Sequence, residues 1–531
     1  MKRLITLLTA TTLLSACGIV SYSTNSEQSF DEQRLRRDIK ELASDRYLGR
    51  MPTTRGETLT LDYLETQFQQ MGLAPANGDS YRQAVPMQRF LTTNATLQLG
   101  QQPLKYRQQM VLNSYREQNS VQLSNSEVVF VGYGINAPEH DWNDYANVDV
   151  RGKTVLMLVN DPGFASGDPS HFKGDTMTYY GRWDYKFAEA GRQGAAAALI
   201  VHDTKPAAYP WSVVQNSWTG PKLDLQGSLD PHPDLEGWIT LDSAKALLAE
   251  AGQDFTALSQ QAQQRPTQVA LGLTANASLQ QTTDTAISYN IVATLPGTEQ
   301  ADEHVLYTAH WDHIGSHLDK IYNGAMDNAS GVAAMLEIAR AYRAAPTPKR
   351  SVTFVAVTGE EQGLLGSRYY AAKPLFPLAS TVGVFNIDST NVYGKTRDYT
   401  VVGFGHSQLE DYLVRAAQAQ NRQVTAEANP GAGGYFRSDH FSFVPKGVPA
   451  VFAGGGSVPW DQATADYKVA MKAQMRGCYH NPCDTYRPNW DLSGTLMDMQ
   501  VYYGAGQALA NSDDWPGFNA SSEFHRLRPA R

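Results

Sequence analysis

Five short stretches of this chain hold side chains that can give a lone pair to a cation. They are His310-Trp311-Asp312-His313, Asp327 within Gly324–Ser330, Glu360-Glu361 after Gly359, Asp388 in Asn386-Ile387-Asp388, and His480 between Tyr479 and Asn481. Imidazole and carboxylate donors without a thiolate suit zinc, manganese or cobalt. His310 and Asp312 are two apart at the end of an apolar run, so on a strand they would share a face. One could then bind metal while the other fixes the imidazole tautomer. A lone His310 would read as a satisfied core histidine, and Asp327 before Ala329-Ser330-Gly331 would read as a helix cap. Glu360 and Glu361 repel one another unless positive charge is near. In extended chain they would point oppositely, so they are expected where a strand turns. Asp388 closes an apolar strand, where a carboxylate without a partner is costly. Five such residues at strand ends outweigh the bland reading of each. His304, His313, His317 and His406 are left as surface or packing residues.

The segments around these residues alternate in period. Apolar runs at 305–308, 351–357, 382–387, 399–402 and 448–452 predict strands. Helical spacing falls at 329–344, 363–372, 407–420 and 492–510. Such alternation predicts an α/β layer fold with the ligand candidates at strand ends. Earlier, helices are expected from Ser29 onward and over 55–71, the second closed by Gly72. Between them and the main run, residues 124–275 read as a β-rich insert with no ligand spacing of its own. That insert is expected to be dispensable for chemistry and to matter for substrate choice. Residues 511–531 show little periodicity and read as a surface tail.

The chain has 531 residues, 42% of them hydrophobic, enough for more than one core. Its formal net charge is −9, with no basic patch, which excludes a nucleic-acid footprint. Met1–Ala16 has the form of a signal peptide: Lys2 and Arg3, then an apolar stretch too short to span a bilayer. Leu14-Ser15-Ala16-Cys17 resembles a bacterial lipobox, which implies lipid on Cys17 and a tether over 17–28. Cleavage near Ala16 without lipid is the alternative. The two remaining cysteines, Cys478 and Cys483, flank His480; in an oxidising compartment they are expected to pair.

Taken together, the His310, Asp327, Glu360-Glu361, Asp388 and His480 motifs resemble the co-catalytic metallopeptidase family of bacterial leucyl aminopeptidase, aminopeptidase Y and glutamate carboxypeptidase II. The resemblance covers roughly Tyr289 to Ala510. It implies a three-layer αβα catalytic domain with a central mixed sheet, and two divalent ions, zinc being expected. In that reading Asp327 bridges both ions. His310 and Asp388 complete one site, and Glu361 and His480 the other. Glu360 would be the general base, Asp312 would orient His310, and Tyr479 would steady the oxyanion. Ser438-Asp439-His440 resembles a motif near the substrate. The helix, Gly-Ala turn and strand at 185–201 resembles a protease-associated domain. The implied organisation is a signal peptide (1–16), tether (17–28), N-terminal part of the catalytic domain (29–123), insert (124–275), peptidase domain (285–512) and tail (513–531).

The chain departs from that family at Ser389-Thr390 and in the long stretch 458–477 before His480, so specificity does not carry over. The expected activity is removal of N-terminal residues from peptides by an exported, membrane-anchored lipoprotein facing the periplasm, on the outer membrane. A carboxypeptidase, a one-metal glutaminyl cyclase and a non-catalytic binding relative are the alternatives. No Gly-x-Ser-x-Gly elbow and no His-Glu-x-x-His occurs, which argues against two other hydrolase classes.

Overall fold

The computed structural model describes residues 30–164, 166–227 and 231–528. The signal peptide, Cys17 and the tether lie outside the described residues. Among the described residues no helix is long and apolar enough to cross a membrane.

The C-terminal part is built on parallel strands Gln300–His310, Arg350–Val357, Thr381–Asn386 and Ala450–Gly455. Every residue of Arg350–Val357 is buried, as expected for a strand covered on both faces. Period-two alternation divides its side chains between two cores. Phe354 and Ala356 pack with helices Gly331–Ala344 and Ser493–Ala510, while Val355 and Val357 pack with Tyr370 and Phe443 on the opposite face. This is the expected three-layer arrangement. The two early helices also form, at Glu32–Leu42 and Arg55–Met71. Asp31 caps the first, and Gly72 closes the second in the left-handed region at φ 68°.

The insert is not hung on a linker. One strand, Val269–Leu295, runs 27 residues. Its end pairs with Arg350–Val357, while its first part pairs with Ser120–Phe130. Arg82–Leu99 lies antiparallel along most of its length. The sheet therefore continues without a break into Thr154–Leu158, Ala197–His202 and Leu235–Thr240, which carry the insert's own cores. The C-terminal stretch read as a surface tail is docked instead. Phe518 is buried, Phe524 packs edge-on to Phe441, and Arg528 donates to the Thr381 and Val382 carbonyls.

Candidate metal centre

The sheet ends where the ligand candidates begin. His310 is the last residue of its strand and is buried. Its Nε2 lies 3.4 Å from Asp327 Oδ1 and 3.3 Å from Asp388 Oδ1. His480 Nε2 lies 3.3 Å from Asp327 Oδ2 and 3.0 Å from Glu361 Oε2. Asp327 thus turns one oxygen to each imidazole. All five expected ligands converge.

Each is held by its own local structure. Gly359 takes φ 65° and turns the chain after Val357, so Glu360 and Glu361 sit on a tight turn rather than an extended strand. Asn328 ties three pieces together. Its side-chain amide donates to the carbonyls of His310 (3.3 Å) and Ile387 (3.0 Å), and its oxygen accepts from the Ser389 amide at 2.9 Å. Asp484 accepts from the amides of Met326 (3.0 Å) and Asp327 (3.1 Å). Arg50, buried and from the N-terminal segment, donates to four carbonyls: Leu42, Trp311, Asn323 and Gly324. The Cys478–Cys483 disulfide is present and closes the loop that carries His480. His480 itself has φ 53° in the left-handed region, unfavourable for a non-glycine residue and so dependent on what surrounds it.

The structure corrects three expectations. Asp312 does not orient His310 through its carboxylate, which is 3.8 Å from Nδ1. The closer partner is its backbone carbonyl, at 3.2 Å. The strand stops at His310, so the two-residue period no longer places Asp312. Its carboxylate instead accepts from the Glu360 and Glu361 amides at 3.1 and 3.4 Å, holding the glutamate turn. Ser438, Asp439 and His440 are buried and do not line the cleft. Ser438 Oγ donates to Asp388 Oδ2 at 2.6 Å, so it supports a ligand candidate from behind rather than meeting substrate. His313 is not peripheral. It is fully buried, its Nδ1 is 2.6 Å from Glu361 Oε1, and it clusters with Asp327 and Glu361. Its place in the His-Trp-Asp-His run was the available signal. His304, His317 and His406 are packing residues, stacked on Phe376, Tyr322 and Tyr435.

The electrostatics ask for a cation. Among the described residues no Lys or Arg pairs with Asp327, Glu360, Glu361 or Asp388. Lys222 donates to the Ser217 carbonyl and to Gln362, and Arg50 to carbonyls. Burial opposes charge on His310, yet the carboxylates of Glu360 and Asp388 outweigh it and hold the ring well above its ordinary value. His480 is lifted to about 9 in the same way, burial being overcome by Glu361 and Asp327. Burial raises Glu360 well above the usual range, and neighbouring Asp388 and Glu361 add to the rise. His310 Nδ1 lies 3.2 Å from the Asp312 carbonyl, so a cation that displaced the Nε2 proton would leave Nδ1–H donating there and the Nε2 lone pair toward Asp327 and Asp388, the tautomer a ligand needs. An all-nitrogen-and-oxygen donor set in two groups sharing Asp327 fits two divalent ions.

A cleft of about 100 Å³ opens from Glu360, Glu361 and His480 toward the insert, which supplies Trp183, Tyr209 and Trp218 to its wall. Tyr479 stacks on His480 at 3.9 Å and is 40% exposed on the cleft.

Residues 290–504 match the model of peptidase family M28. Leupeptin-inactivating enzyme 1 of Streptomyces exfoliatus is 32% identical over 241 residues, 41% of this chain and 47% of that protein. A probable zinc metalloprotease of Pyrenophora tritici-repentis is 40% identical over 101 residues, 18% of this chain and 23% of that protein. The chain thus spans about half the length of the first relative and about a quarter of the second. Among solved structures, an aminopeptidase from Aneurinibacillus sp. strain AM-1 superposes with TM-score 0.55 at 20% identity, covering 94% of this chain and 97% of that one. A zinc aminopeptidase from Bacillus subtilis does so with TM-score 0.52 at 17% identity, covering 95% and 99%. At these identities the likeness speaks for the fold, and it extends through the insert.

Proposed function

We propose that this protein, whose residues 290–504 belong to peptidase family M28, is an exported aminopeptidase with two zinc ions. The observation that carries the reading is the division of Asp327, one oxygen toward His310, which also meets Asp388, and the other toward His480, which also meets Glu361. His310 and Asp388 would hold one ion, Glu361 and His480 the second, and Asp327 both. When bound, such a pair polarises a peptide carbonyl and lowers the pKa of water. The chain's own part is then proton handling and placement. Glu360 projects into the cleft with a raised proton affinity, suited to taking a proton from the attacking water and passing it to the leaving amine. Tyr479, on the rim, is placed to donate its hydroxyl proton to the oxyanion. Asp312 holds the two glutamate amides, so it sets where Glu360 and Glu361 stand. The signal-peptide pattern with Cys17 and the Cys478–Cys483 disulfide support export to an oxidising compartment with a lipid anchor.

One observation favours a second reading. Arg437 lines the cleft, and among the described residues no carboxylate pairs with it. Its nearest partners are the Tyr479 hydroxyl at 3.4 Å and the Ala432 carbonyl at 3.5 Å. A guanidinium so placed suits a terminal carboxylate, as a carboxypeptidase needs. Turnover of free, N-acetylated and C-amidated peptides separates the two. Loss on acetylation supports the aminopeptidase, and loss on amidation the carboxypeptidase.

The site assignment is tested by two variants. Glu360→Gln keeps both metals and loses about 10²–10⁴ in turnover, the usual worth of a positioned base. Glu361→Ala loses one metal first. The reverse pattern exchanges the roles, and no change in either variant rejects the site.

A further inference from the structure

The insert does not stand apart from the chemistry, as its lack of an acid, base or ligand cluster suggested. Its helix Trp211–Ser217 ends against the loop that carries His480. Two consecutive side chains reach across. Asn216 donates its amide to the His480 carbonyl at 2.9 Å and to Asn481 Oδ1 at 2.8 Å. Ser217 Oγ lies 2.7 Å from His480 Nδ1. The other ring nitrogen, Nε2, is the one that faces Asp327 and Glu361.

These contacts act on two separate properties of His480. Asn216 holds the backbone of a residue whose left-handed φ needs external support. With a cation on Nε2, Nδ1 carries the ring proton and Ser217 Oγ is within reach to accept it, which would fix that tautomer and set the ring plane. The holding helix is itself anchored. Val214 and Trp218 lie in the insert's core, with Trp218 packed between Phe187 and Trp238, and Lys222 donates to the Ser217 carbonyl.

We propose that Ser217 is a positioning residue for the second metal, so that one of the two metal half-sites is completed by the insert. This rests on the two-metal reading given above. The proposal makes the half-sites unequal. His310 and Asp388 are supported within the peptidase part, whereas His480 takes its orientation from a unit that enters the chain some distance before it.

The test is zinc binding by purified full-length protein, measured by equilibrium dialysis with elemental analysis and accompanied by thermal melting. In S217A one of the two zinc ions weakens by about 10–100-fold, the usual effect of removing a partner of a ligating histidine, and the other is unchanged. The melting temperature of the zinc-free protein stays at the wild-type value. S217T, which keeps a hydroxyl, binds both ions as the wild type does. Wild-type affinity for both ions in S217A, or equal weakening of both, overturns the proposal. H480A separates this from the reading beneath it. If H480A loses one ion and S217A none, only the role of Ser217 falls. If H480A keeps both ions, His480 is no ligand and the two-metal assignment falls with it.

Discussion

Replacing Arg50 by methionine tests how far the centre depends on a residue outside the ligand set. Arg50 is 1% exposed and donates to Trp311 O at 2.9 Å, Leu42 O at 2.7 Å, Asn323 O at 2.6 Å and Gly324 O at 2.8 Å. Arg50→Met fills much of the volume, removes four hydrogen bonds and leaves the Leu42, Trp311 and Asn323 carbonyls without donors, while Gly324 O keeps the Ala329 amide. Hydrogen bonds to a charged group contribute about 1.5–3 kcal/mol each. Against this, the variant no longer buries a guanidinium, which costs several kcal/mol. Burial lowers the Arg50 pKa to about 10 even though the nearby Asp484 and Asp312 charges partly offset it. The net loss is about 4–6 kcal/mol. Unfolding entropy of about 2 cal/mol/K per residue makes 1 kcal/mol worth about 1 °C in a chain of this size. The expected fall in melting temperature is therefore about 4–6 °C. Two of the four carbonyls flank His310 and Asp327, so zinc affinity should fall as well. Arg50→Lys, with three donors rather than five, should recover part of both. Calorimetry and zinc content read the two effects. A variant melting within about 1 °C of wild type would show that water or backbone relaxation satisfies the carbonyls, and that the clamp is unimportant.

Chelation should lower the melting temperature, because buried carboxylates lose their cation, and added zinc should restore it; identical melts with and without chelator would count against a resident metal. His304 is 4% exposed, and burial lowers its ring to about 4. The folded ring stays neutral while the unfolded chain takes up the proton, so wild type should lose about 1.4 kcal/mol per pH unit relative to H304Q as pH falls from 6.5 toward 4. Parallel stability curves for the two would reject that. Replacing Cys478 and Cys483 by serine opens only a small loop, so melting should shift by less than the ~3 kcal/mol of a 15-residue loop while zinc affinity on the His480 side falls. Unchanged zinc binding would make the bridge irrelevant to the centre.

The ligand candidates were legible because each sits at the end of a local pattern that predicts a strand or a turn. Their supports were not. Arg50, Ser217 and Asp484 meet the site across long stretches of chain, and nothing in their neighbours marks them. Asp312 was misread because the strand period was carried two residues past the strand's end. Ser438, Asp439 and His440 were set near the substrate by resemblance, yet all three are buried, and Ser438 bonds Asp388. His313 adjoins a recognised motif and could have been weighed with it. The length of the shared strand Val269–Leu295 was hidden because its two halves pair with different partners and change pattern midway.

The Asp484 contact also sets an order in time. Its carboxylate holds the amide of Asp327, and His480 lies four residues before it, so both are made well after the other ligand candidates. His310, Asp327 and Asp388 all leave the ribosome earlier, in the company of Arg50. A chain stopped before Cys478 would carry one half of the centre and the insert's waiting Ser217, but neither His480 nor the anchor for Asp327. Termination between Asp388 and Cys478 therefore yields a product that lacks His480, and the proposed centre can form only once residues as far as Asp484 have been made.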